Sequence, residues 1–274
     1  MKIAAIQMVS SPHVADNLAQ ARTLLEQAAA LGAELAVLPE YFSTMGMRDS
    51  DKLALAEAFG SGAAQDFLSA TARELGLWIV GGTLPLTCAD SGDAQRVRNS
   101  SLAYAPSGEC VARYDKVHLF RFDNGRESYD EGNTIEAGAA AVQFQLPSRD
   151  GHQWCVGLSV CYDLRFPELY RQHARASADL LLVPSAFTYT TGQAHWELLL
   201  RARAVENQAY VLATGQGGVH DNGRQTWGHS MAIDPWGEVL ALQAQGPGVV
   251  LSDIHAERVQ QVRMQLPALR HRVL

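Results

Sequence analysis

Two stretches of this chain echo each other: Gly32-Ala33-Glu34-Leu35-Ala36-Val37-Leu38-Pro39-Glu40 and Ser177-Ala178-Asp179-Leu180-Leu181-Leu182-Val183-Pro184-Ser185. In each, a short unbroken apolar run ends at a proline and is followed at once by a polar side chain. Such a run, with no polar alternation, suits a strand buried on both faces, as in parallel sheets covered by helices. Ahead of the first copy, residues 2–9 read as a strand. Leu18, Ala21, Leu24, Leu25, Ala28 and Ala29 then recur at helical spacing behind Asp16-Asn17, up to Gly32. A βαβ unit therefore opens the chain, and the echo predicts a second half of similar plan facing it. The implied architecture is α/β, two sheets with helices outside, in a single domain over 1–274.

The intervening segments are assigned by period and punctuation. Helices are expected near 51–58 and over 62–75, the latter capped by Ser61, before a strand at 77–80. Residues 99–105 and 109–113 flank Pro106-Ser107-Gly108 as a hairpin. Residues 115–138 carry Gly125, Gly132, Gly138 and many charges without a period, and read as a long functional loop. Strands follow at 142–146 and 153–160, a helix from Pro167 to about 176, a strand at 179–184 and a helix at 194–207. A strand at 209–214 leads into a Gly-rich loop at 215–224. Strands at 229–233 and 238–243 then flank Asp234-Pro235-Trp236-Gly237, and a strand at 249–254 precedes the last helix.

Charge and composition exclude several classes. The 274 residues hold 22 Lys and Arg against 29 Asp and Glu, a net charge of −7 with no basic block, so nucleic-acid binding is not expected. No apolar run approaches the ~20 residues of a membrane span. The opening strand does not resemble a signal peptide, so the expected location is the cytoplasm. There the four cysteines, Cys88, Cys110, Cys155 and Cys161, are thiols, each buried or reactive.

Among them Cys161 stands apart. The segment Gly157-Leu158-Ser159-Val160-Cys161-Tyr162-Asp163-Leu164-Arg165-Phe166-Pro167-Glu168 reads as strand, tight turn and helix start, which places the thiol near backbone N–H groups that favour its thiolate. A free cysteine is only a few per cent thiolate near pH 7, so a nucleophile needs a base. Glu40, at the carboxyl end of a buried strand, is placed to be one. The near-match Gly157-x-Ser159-x-Cys161 lacks the closing glycine of a serine nucleophile elbow. A Cys–His pairing with His118, His195 or His229 stays open. Gly215-Gln216-Gly217-Gly218 misses dinucleotide-binding spacing, and no His-Glu-x-x-His or paired-Cys motif points to a metal.

Taken in order, Leu38-Pro39-Glu40, Tyr114-x-Lys116-Val117-His118-Leu119 and Ser159-Val160-Cys161 through Glu168 resemble the three signature segments of the nitrilase (carbon–nitrogen hydrolase) superfamily, near its Nit branch. The likeness continues through 195–207, Gly228-His229-Ser230-Met231, Asp234-Pro235-Trp236-Gly237 and the last residues. It implies a four-layer αββα sandwich and a Glu–Lys–Cys triad carried by Glu40, Lys116 and Cys161. It also implies a second glutamate after the lysine, for which Arg126-Glu127-Ser128 is the best fit and Glu131 the fallback. Lys116 and the Tyr162 backbone N–H would face the oxyanion, and Arg165 would bind a substrate carboxylate or pin its loop. The implied activity is cofactor-free, metal-free hydrolysis of a small amide of the deaminated-glutathione or α-ketoglutaramate kind. Nitrile or N-carbamoyl amino acid hydrolysis, or an idle binding module, are the alternatives. A homodimer is implied too, with the tail from about 255 to 274 in or near the contact.

Overall fold

The computed structural model describes residues 1–88, 93–125 and 127–273. In chain order its elements are β1 (Lys2–Gln7), α1 (Val14–Ala30), β2 (Leu35–Val37), α2 (Asp51–Ala54), α3 (Ala63–Leu75), β3 (Trp78–Val80), β4 (Leu84–Cys88), β5 (Asp93–Tyr104) and β6 (Cys110–Asp115). There follow β7 (Arg121–Asp123), β8 (Ser128–Asp130), β9 (Gln143–Pro147), β10 (Gln153–Leu158), α4 (Pro167–Arg175), β11 (Leu180–Ser185) and α5 (Tyr189–Asn207). The last are β12 (Tyr210–Gly215), β13 (Ser230–Ile233), β14 (Val239–Gln243), β15 (Gly248–Asp253) and α6 (Ala256–Gln265).

One sheet runs β15-β1-β2-β3-β5-β4 with β6 also on β5, and the other runs β14-β13-β12-β11-β10-β9. The two echoed runs become equivalent strands. β2 lies parallel between β1 and β3, and β11 lies parallel between β10 and β12, with antiparallel strands outside each trio. Alternation of side chains across a strand then builds the layers. Ile3, Ala5, Leu35 and Val37 join the core shared with Leu158, Leu182 and Val211 of the other sheet, whereas Ala4, Ile6, Ala36 and Leu38 pack with Leu25, Leu68 and Ala72 of α1 and α3. On the far side Leu169, Tyr170, Trp196 and Leu200 of α4 and α5 close the second sheet. The result is the expected αββα sandwich.

Several local expectations give way to tertiary contacts. The helix expected near 51–58 stops at Ala54, because Glu57 pairs instead with β4: its N–H donates to Pro85 O at 3.0 Å and its carbonyl accepts from Thr87 N at 2.9 Å. Its carboxylate, not Ser61, then caps α3, accepting from Ala64 N at 2.7 Å and Gln65 N at 3.3 Å. β4 itself holds Pro85, which an edge strand tolerates and which masks it in the sequence. α5 begins at Tyr189, ahead of the expected 194, because Thr188 accepts from Thr191 N at 3.4 Å as an N-cap. Within the expected loop 115–138, β7 and β8 form a short hairpin.

Candidate active site

Both sheets present the carboxyl ends of their parallel strands at one edge, and the residues that follow those strands meet there. Glu40 follows β2, Cys161 follows β10, Ala186 follows β11 and Gln216 follows β12. Gln216 Nε2 donates to the Glu40 carbonyl at 3.1 Å and to Ser10 Oγ at 2.8 Å, joining the ends of β1, β2 and β12. Gly82 lies under this junction with φ +47°, where any Cβ would collide with the Pro39 carbonyl. The backbone leading into Glu40 is therefore fixed from both sides.

Glu40 is 1% exposed and Lys116 is fully buried. The Lys116 ammonium donates to Glu40 Oε1 at 2.9 Å and to Glu131 at 2.9 and 2.7 Å. Glu40 is held further by Asn99 Nδ2 on Oε1 and the Ala186 N–H on Oε2, each at 2.9 Å. Glu131 also accepts from the Tyr41 hydroxyl at 2.8 Å and the Phe120 N–H at 2.7 Å. Burial alone would push the lysine down, but the Glu131 and Glu40 carboxylates hold it well above the usual ammonium range. Burial likewise works against the Glu131 charge and is overcome by Lys116 and the Phe120 N–H, so its carboxyl stays below the usual range.

Cys161 completes the group, buried, with its backbone in the left-handed region at φ +49°. A side chain held in so sparsely populated a conformation costs ~1–2 kcal/mol and persists where the surroundings over-determine it. The turn Cys161–Arg165 is a short 3₁₀ segment, and α4 starts only at Pro167, beyond that turn. Contrary to the sequence expectation, the thiol is not biased toward thiolate. Burial first, and then the Glu40 carboxylate, push its pKa well above the ordinary value against the pull of Lys116. With a neutral thiol the buried groups Glu40, Glu131 and Lys116 sum to one negative charge. Moving the thiol proton to Glu40 leaves that sum unchanged, which is why a paired carboxylate, rather than a free thiolate, fits this site.

One buried residue ties the lysine to the nucleophile turn. Asp163, fully buried, accepts from Tyr114 OH at 2.7 Å and Val160 N at 2.9 Å on one oxygen. Its other oxygen takes the His118 N–H at 3.0 Å and lies 2.7 Å from His118 Nδ1. His118 is stacked on Phe166, with ring centroids 3.7 Å apart. Tyr114 and His118 flank Lys116, and Val160 precedes Cys161, so this carboxylate fixes one against the other.

The structure brings Glu40, Lys116 and Cys161 together but not Glu127. Glu127 sits at the far end of the β7–β8 hairpin, its N–H on Asn124 Oδ1 at 2.8 Å and its carboxylate on the Thr190 hydroxyl at 3.3 Å. Arg126, quoted with it, lies outside the described residues. The hairpin returns the chain so that the Glu131 N–H meets Phe120 O at 3.0 Å, and the residue just past the hairpin reaches the lysine. Glu131 therefore takes the place expected of Glu127. Asn99, Tyr41 and Ala186 were not expected; the polar run Arg98-Asn99-Ser100-Ser101 inside a strand was the signal for the first.

A narrow cleft opens onto Glu40, Glu131 and Cys161, lined also by Tyr162, Arg165, Phe187 and Arg224 among others. No described histidine lines it, which removes the support for a Cys–His pair. The Arg165 guanidinium lies over the Tyr162 and Phe187 rings at 5.7 and 5.5 Å, with His195 Nδ1 at 3.3 Å. Among the described residues it has no carboxylate partner, because Asp163 is committed elsewhere. The Tyr162 N–H opens the turn without an acceptor among the described residues. Among those residues, too, no cluster of three or more His, Cys, Asp or Glu is arranged to hold a metal.

Residues 2–264 match the carbon-nitrogen hydrolase family. The chain belongs to that family. This carbon–nitrogen hydrolase is 43% identical over 271 residues to a deaminated glutathione amidase of Synechocystis sp., covering 98% of this chain and 97% of that one. It is 36% identical over 273 residues to the omega-amidase NIT2 of Danio rerio, covering 99% and 94%. The solved NitFhit protein of C. elegans superposes with a TM-score of 0.88 at 36% identity, over 99% of this chain and 65% of that longer one. The fold is therefore that of the nitrilase superfamily, and the chain is a hydrolase of carbon–nitrogen bonds other than peptide bonds. Among the described residues no helix is long and apolar enough to cross a membrane.

Proposed function

We propose that this carbon–nitrogen hydrolase is a cytoplasmic amidase that cleaves a small carboxylate-bearing amide through a thioester on Cys161. One observation carries the reading: the buried Cys161 shares a cleft with Glu40, whose carboxylate accepts from a lysine pinned between two carboxylates. Glu40 takes the Cys161 proton as the sulfur attacks the carbonyl carbon. The carbonyl oxygen becomes an oxyanion facing the Lys116 ammonium and the Tyr162 N–H, each such donor worth ~3 kcal/mol of barrier. The tetrahedral intermediate expels the amine, protonated from Glu40. Glu40 then takes a proton from water as the water oxygen attacks the thioester; collapse of this second tetrahedral intermediate breaks the C–S bond and releases the acid, and Glu40 returns its proton to the Cys161 sulfur. Glu131 holds Lys116 in place throughout.

Arg165 is the group proposed to receive the substrate carboxylate, since a guanidinium with no ion pair in the cleft matches a carboxylate fork. The names of the two relatives support a deaminated-glutathione or omega-amide substrate. The test is release of amine or ammonia across those amides, a neutral aliphatic amide, an N-carbamoyl amino acid and a nitrile. Arg165→Lys should raise KM for the acidic amides about tenfold more than for the neutral one. A wild-type preference for the nitrile or the neutral amide overturns the substrate class.

A homodimer is part of the proposal. Leu198, Val205 and Trp236 are 68%, 48% and 55% exposed along one groove beside α5, an apolar surface a lone protomer leaves in water. Helices α4 and α5 and the tail beyond 255 are the proposed contacts. Sedimentation at micromolar concentration should show a species larger than 29.7 kDa.

A further inference from the structure

Asn99, on β5, holds both members of the glutamate–lysine pair. Its carbonyl accepts from the Lys116 N–H at 3.0 Å, and its Nδ2 donates to Glu40 Oε1 at 2.9 Å. Lys116 Nζ donates to the same Oε1 at 2.9 Å, so two donors fill the lone pairs of that oxygen. Oε2 takes the Ala186 N–H and keeps a lone pair, which makes it the oxygen with room for the Cys161 proton. The Asn99 amide cannot be turned over without setting its Oδ1 against the Glu40 charge, so that oxygen faces away. Among the described residues Oδ1 has no hydrogen-bond partner, although Asn99 is only 2% exposed. The Thr44 hydroxyl, on a residue 5% exposed, is equally unpartnered among them. Both residues line one small cavity with room for about one water, and among the described residues none that lines it also lines the cleft. The Lys52 ammonium beside it is already directed to Asp49 Oδ1 and Thr134 Oγ1, each at 3.4 Å.

We infer that this cavity binds a water that donates to Asn99 Oδ1 and bonds the Thr44 hydroxyl, and that Asn99, so steadied, is a positioning residue for Glu40. The inference rests on the amidase reading above, in which Glu40 takes and returns a proton in both halves of the reaction. An apolar cavity of this size stays dry, whereas a buried acceptor and a buried hydroxyl left unpaired are costly and supply the polar partners a water needs. Neither Asn99 nor Thr44 lines the cleft, so both act through the carboxylate. With Asn99 removed, Lys116 alone restrains Oε1, and Oε2 is no longer held toward the sulfur.

Asn99→Leu, Thr44→Val and the double variant test this on an acidic amide. Asn99→Leu should lower kcat about a hundredfold, as for a ~1 Å misplacement of a positioned group, with KM within about threefold. Thr44→Val should lower kcat about fivefold, the worth of one water-mediated bond, and less than about twofold in the Asn99→Leu background, because the water then has nothing to steady. Rapid-quench intact-mass spectrometry should show acyl-enzyme formation and acyl-enzyme hydrolysis both slowed in each single variant, since Glu40 serves both steps. Asn99→Ser should show the same pattern and serves if the leucine variant does not fold. A high-resolution crystal structure of the wild type should show a water within hydrogen-bond distance of Asn99 Oδ1 and Thr44 Oγ1. A dry cavity, an equal effect of Thr44→Val in both backgrounds, or slowing of acylation alone overturns the inference while leaving the amidase reading intact. A wild type that forms no acyl adduct on Cys161 overturns both.

Discussion

Glu131→Gln and Glu127→Gln form the sharpest pair of substitutions in this chain, because the two glutamates stand at opposite ends of one short hairpin. Glu131 lies 2.7 and 2.9 Å from the Lys116 ammonium, and both its oxygens carry further donors from Tyr41 and Phe120. Two unit charges at about 2.8 Å attract by roughly 6 kcal/mol at an effective dielectric near 20. The substitution also removes the desolvation of the Glu131 charge, and Gln keeps one acceptor, so the net loss of stability should be about 2–4 kcal/mol. Lys116 then keeps only Glu40 as a charged partner and loses the anchor that sets its height over Cys161. A displacement of ~1 Å in a positioned group costs on the order of a hundredfold, which sets the expected fall in kcat/KM. Glu127, half-buried with a single 3.3 Å hydroxyl contact, should tolerate Gln within about 0.5 kcal/mol and threefold in kcat/KM. Steady-state kinetics on an acidic amide and urea unfolding of both variants decide the matter. Equal losses for the two, or wild-type kcat/KM in Glu131→Gln, would refute the assignment of Glu131 as the partner of the lysine.

Asp163→Asn should destabilise the fold by ~2–4 kcal/mol, because either amide orientation turns an NH₂ toward a backbone N–H, that of Val160 or that of His118. Urea midpoints measure this, and a loss under about 0.5 kcal/mol contradicts the bridging role. Acid should act through His173, whose ring Nε2 lies 2.9 Å from Leu158 O and Nδ1 2.8 Å from Gln143 Nε2. Burial lowers its pKa below 6.5, so the unfolded chain takes a proton that the folded chain refuses, and stability is lost as pH falls below 6.5. His220, lowered for the same reason, adds to the slope. Each contributes at most ~1.4 kcal/mol per pH unit, and unfolding free energies that stay flat from pH 7 to 5.5 contradict both.

The layers were legible because the echoed runs at 35–38 and 180–183 are buried on both faces, which leaves no polar position to blur the pattern. Glu40 and Cys161 were legible for a related reason, each being the first reactive side chain beyond such a strand. What the sequence hid depends on chain return. Glu127 and Glu131 are equally polar and close in sequence, and only the β7–β8 pairing decides which of them comes back to Phe120. The upward push on the Cys161 thiol was hidden too, since local N–H groups argue for thiolate while its burial, and then the Glu40 charge that follows a strand of the other sheet, come from tertiary packing. The cap from Glu57 and the placement of Arg224 on Ala186 are likewise contacts between segments far apart in sequence.

Trapping the covalent intermediate tests the proposed chemistry most directly. Intact-mass spectrometry of the wild type quenched during turnover of a slow amide should show one added acyl group, mapped by peptide digestion to Cys161. Cys161→Ser and Glu40→Gln should show none under the same conditions, the first for want of the sulfur and the second for want of the base. An adduct on Cys110 or Cys155, or sustained turnover by Cys161→Ser, would contradict a thioester mechanism at this site.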